Sequence, residues 1–205
     1  NILSGQFSLV GGGNFSQPLT SDNTGGLLAN GTPIADPRLV FDGAGPVPIT
    51  TLNPMANITT DIVLNNPTGP FNNLGVPGAK SFHMIAPGYG NIMNFPSAAN
   101  PYAVRLTGNT PDASMLELAI VPQTPTFFTL SEVGGNDVLG YATTGGDGSN
   151  PITPQATFDF ALSTLVNGLV GTGAKGAIGN LPNITSLSFF TTVAYNPVPL
   201  DAATA

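Results

Sequence analysis

The stretch TFFTLSEVGGND, residues 126–137, decides the fold. Its first eight residues are rich in β-branched and aromatic strand formers, and they lead directly into the glycine pair Gly134-Gly135. An Asn held on a tight glycine turn at the carboxyl end of a buried strand can point its side-chain amide into a crevice. There it can donate a hydrogen bond to a developing oxyanion. Asn136 is therefore a candidate functional residue.

The residues that follow complete a strand–helix–strand pattern. Thr153-Pro154 is typical of a helix start, with Thr153 as the N-cap and Pro154 at the first helical position. The helix is marked by an apolar stripe at steps of four, three and four residues: Phe158, Leu162, Leu165 and Leu169. Residues 174–180 then predict a short strand of small residues. Because such units build parallel sheets, the sequence predicts an α/β fold with a parallel sheet.

The front half of the chain gives little periodic signal. Residues 1–7 predict the tail of a helix, which the glycine run at 11–13 ends. Residues 17–70 are dominated by Pro, Gly, Asn and Thr, and so long a stretch without regular pattern is typical of a functional insertion. Residues 114–121 predict a further helix, stopped by Pro122. We expect a single domain over residues 1–205, with 17–70 as a loop-rich insertion.

Composition narrows the classes of function. The net charge is 4 − 11 = −7, and four Lys and Arg residues are too few for a phosphate-binding surface, so we expect no nucleic acid partner. The chain has no Cys, which excludes disulfides and a thiolate nucleophile within it. No apolar run approaches the roughly 20 residues of a membrane-spanning helix. Low charge combined with many Asn, Thr, Ser and Gly residues is typical of exported proteins, so we expect an extracytoplasmic location.

Two further clusters could form parts of a site. Residues 73–79, NLGVPGA, can form a turn whose backbone N–H groups are exposed, because glycine allows close approach; an ordinary loop is the alternative. Residues 180–183, NLPN, follow the second predicted strand and so lie on the ligand side of a parallel sheet, with a plain turn as the alternative.

Three titratable residues have both a functional and a structural interpretation. His83, the only histidine, is either a catalytic imidazole or one whose hydrogen bonds are satisfied structurally. Asp137 either acts as an acid or braces the turn that holds Asn136. Asp147 is either a turn residue or a calcium ligand. No spacing of His, Asp and Glu suggests a metal site, and we expect no cofactor.

Taken together, these segments resemble a known enzyme family. Residues 73–78, the Gly134–Asp137 segment and the strand–helix–strand unit are similar to blocks two and three of the SGNH/GDSL hydrolases. An exported Bacteroidetes-type group of these proteins is the most similar. The resemblance covers most of residues 1–200, and its matching runs are residues 127–130, 135–142, 173–176, 189–193 and 195–197.

This resemblance implies a flavodoxin-like three-layer α/β/α sandwich and hydrolysis of an ester or acyl substrate by a Ser-His-Asp arrangement. It also implies that the backbone N–H of Gly78 and the side chain of Asn136 form the oxyanion hole, so we expect these two residues to converge on one crevice. The implied substrate is a small-molecule ester or a lipid-like ester, and no cofactor is needed.

The chain also departs from the family pattern. Residues 1–205 contain neither the Gly-Asp/Asn-Ser-Leu block that carries the nucleophile nor the Asp-x-x-His block that carries the base. We therefore expect an incomplete domain, the middle portion of an exported esterase or lipase-like protein of the cell surface or outer membrane. Residues 1–205 by themselves are expected to be inactive.

Two other functions remain open on the sequence. A non-catalytic surface module, or an accessory subunit of an outer-membrane protein complex, would account for the polar front half, the low charge and the absent triad blocks. An all-β adhesin-like chain would account for the abundance of Gly, Thr and Asn, and it predicts no helix at residues 154–170.

Overall fold

The computed structural model describes residues 2–192 of the chain. Residue 193, the last of the matching run 189–193, and residues 195–197 contribute to the family resemblance and lie outside this range. The helices are α1 (Ile2–Ser8), α2 (Ile49–Leu52), α3 (Pro101–Thr107), α4 (Met115–Ile120), α5 (Gly135–Thr143), α6 (Gln155–Gly171) and α7 (Ser188–Thr191). Short 3₁₀ helices span Ser81–Ile85, Ile92–Asn94 and Ile184–Ser186. The strands are β1 (Leu27–Ala29), β2 (Thr32–Ala35), β3 (Leu39–Phe41), β4 (Pro46–Pro48), β5 (Phe127–Leu130) and β6 (Lys175–Ile178).

The predicted strand–helix–strand unit is present. β5 and β6 pair in parallel, with Phe127 opposite Lys175 and Leu130 opposite Ile178, and the long helix α6 lies between them in sequence. One face of α6 buries Ala161, Leu165 and Leu169 at steps of four residues. The protein is therefore a mixed α/β protein, and the helix over residues 155–171 contradicts the all-β alternative.

The start of α6 differs from the prediction. Pro154 is the N-cap and Gln155 the first helical residue, so the assignment of Thr153 as N-cap is wrong. Thr153 is buried, and its Oγ1 has no hydrogen-bond partner among residues 2–192. Its backbone N–H instead donates to the carbonyl of Asp137, 3.0 Å away. This bond draws the start of α6 against α5.

β5 is shorter than predicted, and a helix follows it. The strand ends at Leu130 because Glu132 adopts φ 60° and Gly134 φ 107°, which turn the chain out of the sheet. Residues 135–143 then form α5, which sequence patterns did not predict because its glycines lower the intrinsic helix propensity. Asn136 consequently lies in the first turn of a helix, directly after the glycine turn.

Within residues 2–192 the sheets are two-stranded. β1–β2 and β3–β4 are antiparallel hairpins, and β5–β6 is the parallel pair. The carbonyls of Thr126 and Leu130 accept from the N–H groups of Lys175 and Gly179, so the even-numbered residues of β5 point their backbone groups towards β6. The backbone N–H and C=O groups of the odd-numbered residues point to the other edge of β5, which no strand of residues 2–192 covers. These residues are Phe127, Thr129 and Ser131.

Residues 17–70 are irregular, as predicted, but they pack into the body of the domain. The two hairpins β1–β2 and β3–β4 were not predicted. Leu27 and Ile62 are fully buried against Ala99 and Val104. The carboxylate of Asp61 accepts backbone N–H groups from the β1–β2 turn and from the residues that follow Asp61, including those of Gly31 at 2.7 Å and Leu64 at 2.9 Å.

These contacts set the charge state of Asp61. Burial raises the pKa of its carboxyl group, but the N–H groups of Leu64, Gly31, Val63 and Asn30 outweigh that effect, and the pKa lies below its ordinary value. The carboxylate thereby stabilises a segment that has little regular secondary structure.

A second core cluster supports the candidate site. Phe71, Val76 and Tyr89 pack against α3 and α4 through Leu106 and Met115. Each helix begins at a side-chain cap. The Oδ1 of Asn100 accepts from the backbone N–H of Tyr102 at 2.8 Å, and Ser114 and Glu117 form a capping box. The loop that carries Gly78 is therefore anchored at Val76 to two capped helices.

Candidate functional site

Asn136 and the turn at Gly78 meet although they are far apart in sequence. The Asn136 side-chain Nδ2 donates to the backbone carbonyl of Ala79 at 2.9 Å. The Gly78 nitrogen is separated from that carbonyl by a single peptide unit. The structure thus brings the two sequence-predicted site residues to one place.

The turn leaves the Gly78 N–H without a partner among residues 2–192. The Oδ1 of Asn73 accepts from the N–H of Gly75 at 3.0 Å, and the N–H of Ala79 donates to the carbonyl of Val76 at 3.2 Å. Gly78 adopts φ 76°, which favours glycine, and is exposed. Its N–H is therefore an open donor.

Asn136 also retains a donor. A side-chain amide carries two N–H groups, and the bond to Ala79 uses one of them. The amide is half-buried, and its orientation is set by the carbonyl that it binds. One N–H from Asn136 and one from Gly78 thus remain to bind an oxygen atom.

Asp137 connects α5 to the segment that follows Gly78. Its carboxylate accepts from the Ser81 backbone N–H at 2.8 Å and from the Ser81 hydroxyl at 2.7 Å, and both residues are buried. The contact joins α5 to the 3₁₀ helix Ser81–Ile85, which begins three residues after Gly78. The sequence left two roles open for Asp137, an acid or a residue that braces the turn holding Asn136. These contacts support the bracing role. Because Ser81 is buried and donates to a carboxylate, its hydroxyl is not exposed to a substrate.

Sequence reasoning did not single out Ser81 or its neighbour Lys80. The Lys80 ammonium group donates to the Oδ1 of Asn150 and to the carbonyl of Pro151, both at 3.0 Å. These contacts link the Gly78 loop to the segment before α6. No local pattern marks either residue, because their partners lie 56 to 71 positions away in the sequence.

His83 has structural partners. Its Nδ1 accepts from the backbone N–H of Lys80 at 3.0 Å, and its ring stacks on Tyr89 with centroids 4.4 Å apart. Burial lowers the pKa of the imidazole, Asp137 raises it, and Lys80 lowers it again, with a net decrease. An Nδ1 that accepts a hydrogen bond carries no proton, so His83 is neutral and satisfied within the fold.

We expect an NMR titration to give His83 a pKa below the ordinary 6.5. The ring signals are unambiguous because this is the only histidine. The unfolded chain binds this proton more readily, so the stabilisation is complete above pH 6.5 and is lost as the pH falls towards the folded-state pKa. In His83→Gln the unfolding free energy should depend less on pH across this range. A measured pKa at or above 6.5 would contradict the neutral assignment.

The remaining candidates are turn residues. The Oδ1 of Asp147 accepts from the Ser149 N–H at 2.9 Å and from its hydroxyl at 2.6 Å, and these bonds hold the pKa of Asp147 below its ordinary value. Asn183 caps the 3₁₀ helix Ile184–Ser186 by accepting from the Thr185 N–H at 3.1 Å. Across residues 2–192, no group of three or more His, Asp or Glu side chains is arranged to hold a metal ion.

A large crevice adjoins the Asn136–Ala79 contact. Its volume is about 1070 Å³, and Pro77, Ala79 and Asn136 all lie in its wall. Much of the remaining lining is apolar, including Phe7, Leu74, Met84, Phe128 and Leu165. Ligand sites are commonly concave and mostly apolar, with a few polar groups at fixed positions. The crevice has this composition, with the Asn136 amide as one of its polar groups.

Comparison with known proteins found no match to a family model, to a curated protein or to a solved structure. Among the helices of residues 2–192, none is both long enough and apolar enough to cross a membrane. The interpretation of the site therefore depends on its own geometry and on the sequence motifs.

Proposed function

We propose that this chain forms part of an exported ester or acyl hydrolase of SGNH/GDSL type, in which Gly78 and Asn136 bind the oxyanion. The observation that carries the proposal is the 2.9 Å bond between the Asn136 amide and the Ala79 carbonyl. This bond holds the Asn136 amide against the residue that follows Gly78. Asn136 and Ala79 lie in the wall of a mostly apolar crevice, and Gly78 lies between the lining residues Pro77 and Ala79 without lining the crevice itself. The sequence resemblance assigns Gly78 and Asn136 to the same role.

In the proposed reaction a serine hydroxyl attacks the acyl carbon and the carbonyl oxygen becomes an oxyanion. The two donors stabilise that charge as it develops, at a distance of about 3 Å. Asn73 and Val76 fix the glycine turn and Ala79 fixes the amide, so little reorganisation is needed during the reaction. A base takes the serine proton during the attack and passes it to the alcohol, which leaves when the tetrahedral intermediate collapses to the acyl-enzyme. Water then attacks the acyl carbon and breaks its bond to the serine oxygen, which releases the acid and restores the serine hydroxyl. Residues 1–205 contain neither family block that would carry the serine and its base.

The proposed fold of the intact enzyme is a flavodoxin-like three-layer sandwich. The parallel pair β5–β6 supports this proposal, as does the helix α6 that connects the two strands. In such sheets ligands bind outside the carboxyl ends of the strands. Gly134 and Asn136 follow the carboxyl end of β5, which is the position that the proposed reaction requires.

The crevice and the charge indicate the class of substrate. An apolar lining favours the acyl part of a small-molecule or lipid-like ester. A net charge of −7 disfavours polyanions such as nucleic acid. We place the protein outside the cytoplasm, at the cell surface or the outer membrane, on the basis of its composition and its resemblance to an exported group.

The natural full-length protein provides the test. We expect it to hydrolyse p-nitrophenyl esters and to lose this activity after treatment with a serine-reactive fluorophosphonate, which should label one serine. A buffer blank and heat-inactivated protein serve as controls. If the folded full-length protein neither hydrolyses these esters nor reacts with the phosphonate, the enzyme proposal is wrong.

A second candidate function is a non-catalytic interaction module, such as an accessory subunit of an outer-membrane complex. Within residues 2–192 one edge of β5 has no pairing strand, and this favours the second candidate, because an exposed row of backbone donors and acceptors can accept a strand from a partner. This candidate predicts no serine-dependent hydrolysis. It also predicts that the purified full-length protein migrates as a defined complex after detergent extraction of the membrane.

A further inference from the structure

Arg105 is a buried cation without a carboxylate partner. Its side chain lies in α3 and is only 5% exposed. No carboxylate within residues 2–192 forms an ion pair with it, and burial lowers the pKa of its guanidinium group. Burial of a charged group is unfavourable by several kcal/mol unless an opposite charge or a full set of hydrogen bonds compensates.

The hydrogen bonds of Arg105 are incomplete. Nη2 donates to the carbonyl of Leu19 at 2.6 Å, and Nη1 reaches the carbonyl of Pro18 only at 3.5 Å. Nε is buried and has no partner among residues 2–192. A guanidinium group carries five N–H donors, so most of its donor capacity is unused. Both carbonyl partners are neutral and leave the positive charge uncompensated.

A cavity lies against this guanidinium group. Its volume is about 310 Å³, and Arg105 forms part of its wall. The polar residues that line it are Gln17, Thr20, Asn73 and Tyr102, and none of the lining residues is acidic. The Asn73 amide nitrogen can donate into the cavity, because only its Oδ1 is engaged by Gly75. The walls thus combine one positive charge with several neutral donors.

We propose that this cavity binds a small oxyanion, a carboxylate or a phosphate group, that pairs with Arg105. The planar fork of guanidinium N–H donors matches the oxygen geometry of both groups, and the volume accommodates a small molecule. A water molecule would satisfy a donor but would leave the charge unbalanced. The proposal does not require hydrolase activity, although Asn73, Gly75 and Pro77 in the cavity wall also line the crevice beside Asn136.

The anion that pairs with Arg105 can come from either of two sources. A free small molecule is one. The other is a carboxylate of this chain outside residues 2–192, of which Asp201 is the available side chain. The experiment therefore uses the full chain and its Asp201→Asn variant, so that an internal carboxylate does not conceal the site.

The test is a titration with inorganic phosphate and with acetate at constant ionic strength, made up with sodium chloride. We expect a saturable rise in Tm, on the order of 5 °C at a hundredfold excess over Kd, together with binding heat. Arg105→Lys should weaken binding at least tenfold, because it keeps the charge but loses the fork. Arg38→Gln is the control, since it removes an exposed arginine from the connection between β2 and β3 and should bind as the natural sequence does.

The outcomes separate clearly. A response in the natural sequence that Arg105→Lys weakens supports an external anion. If Tm rises on titration only in Asp201→Asn, the site exists and the carboxylate of Asp201 occupies it in the natural sequence. If neither protein responds beyond the chloride control, the proposal is wrong. It is also wrong if Arg105→Lys binds phosphate and acetate as tightly as Arg38→Gln does.

Discussion

Replacement of Asp137 by alanine is expected to lower the unfolding free energy by about 2–5 kcal/mol. The carboxylate accepts from the backbone N–H and the hydroxyl of Ser81, and Ser81 is only 1% exposed. Without Asp137 both donors are buried and unsatisfied, at about 1–3 kcal/mol each. Denaturant unfolding measures the loss. Asp159→Ala, on the exposed side of α6, is the control and should stay within about 0.5 kcal/mol of the natural sequence.

A double-mutant cycle identifies the partner of Asp137. Ser81→Ala removes one of the two bonds and should cost less than Asp137→Ala. The double variant should be less destabilised than the sum of the single variants, since both changes remove the same contact. If Asp137→Ala costs no more than Asp159→Ala, Asp137 does not brace the site. Additive losses would place its effect at another contact.

In the proposed full-length hydrolase, Asn136→Ala is expected to lower kcat by about 10²–10³, the usual effect of the loss of one oxyanion donor. KM should change little, because the donor acts mainly on the charge of the transition state. The change also removes the bond to Ala79, which should lower the unfolding free energy by about 1 kcal/mol. Steady-state hydrolysis of a p-nitrophenyl ester and denaturant unfolding together separate these two effects.

The control for Asn136 is Asn109→Ala, the same substitution at an exposed asparagine outside the crevice lining. Its kcat should remain within about twofold of the natural enzyme, as for most surface changes. If Asn136→Ala keeps the full kcat of an active enzyme, the amide serves only to bind the Ala79 carbonyl. Its role would then be structural, and Gly78 would lose its proposed partner.

The strand–helix–strand unit could be predicted because its signals are local. The stripe that includes Leu165 and Leu169 has helical spacing, and β5 is rich in aromatic and β-branched residues. α5 could not be predicted in this way. Its glycines disfavour a helix, and the buried contacts of Asp137 that hold α5 in place come from a distant segment. Tertiary contacts here outweigh local propensity.

The same distinction applies to the site. Asn136 was proposed because a glycine turn leaves a sequence pattern, and Gly78 was proposed because of the family resemblance. Ser81 and Arg105 could not, because their importance comes from partners 56 and 86 residues away in the chain. The sequence predicted which residues present donors. It could not predict which buried groups hold those donors in place or which cation lacks a counter-charge.

The edge of β5 that no strand of residues 2–192 covers makes the folding yield depend on concentration. When a strand of the same polypeptide covers Phe127, Thr129 and Ser131, the step is unimolecular and its rate is independent of concentration. When a neighbouring molecule supplies the strand, the step is second order, and it becomes faster as the solution becomes more concentrated. Dilution during refolding therefore favours the native protein, and concentration favours chains joined edge to edge.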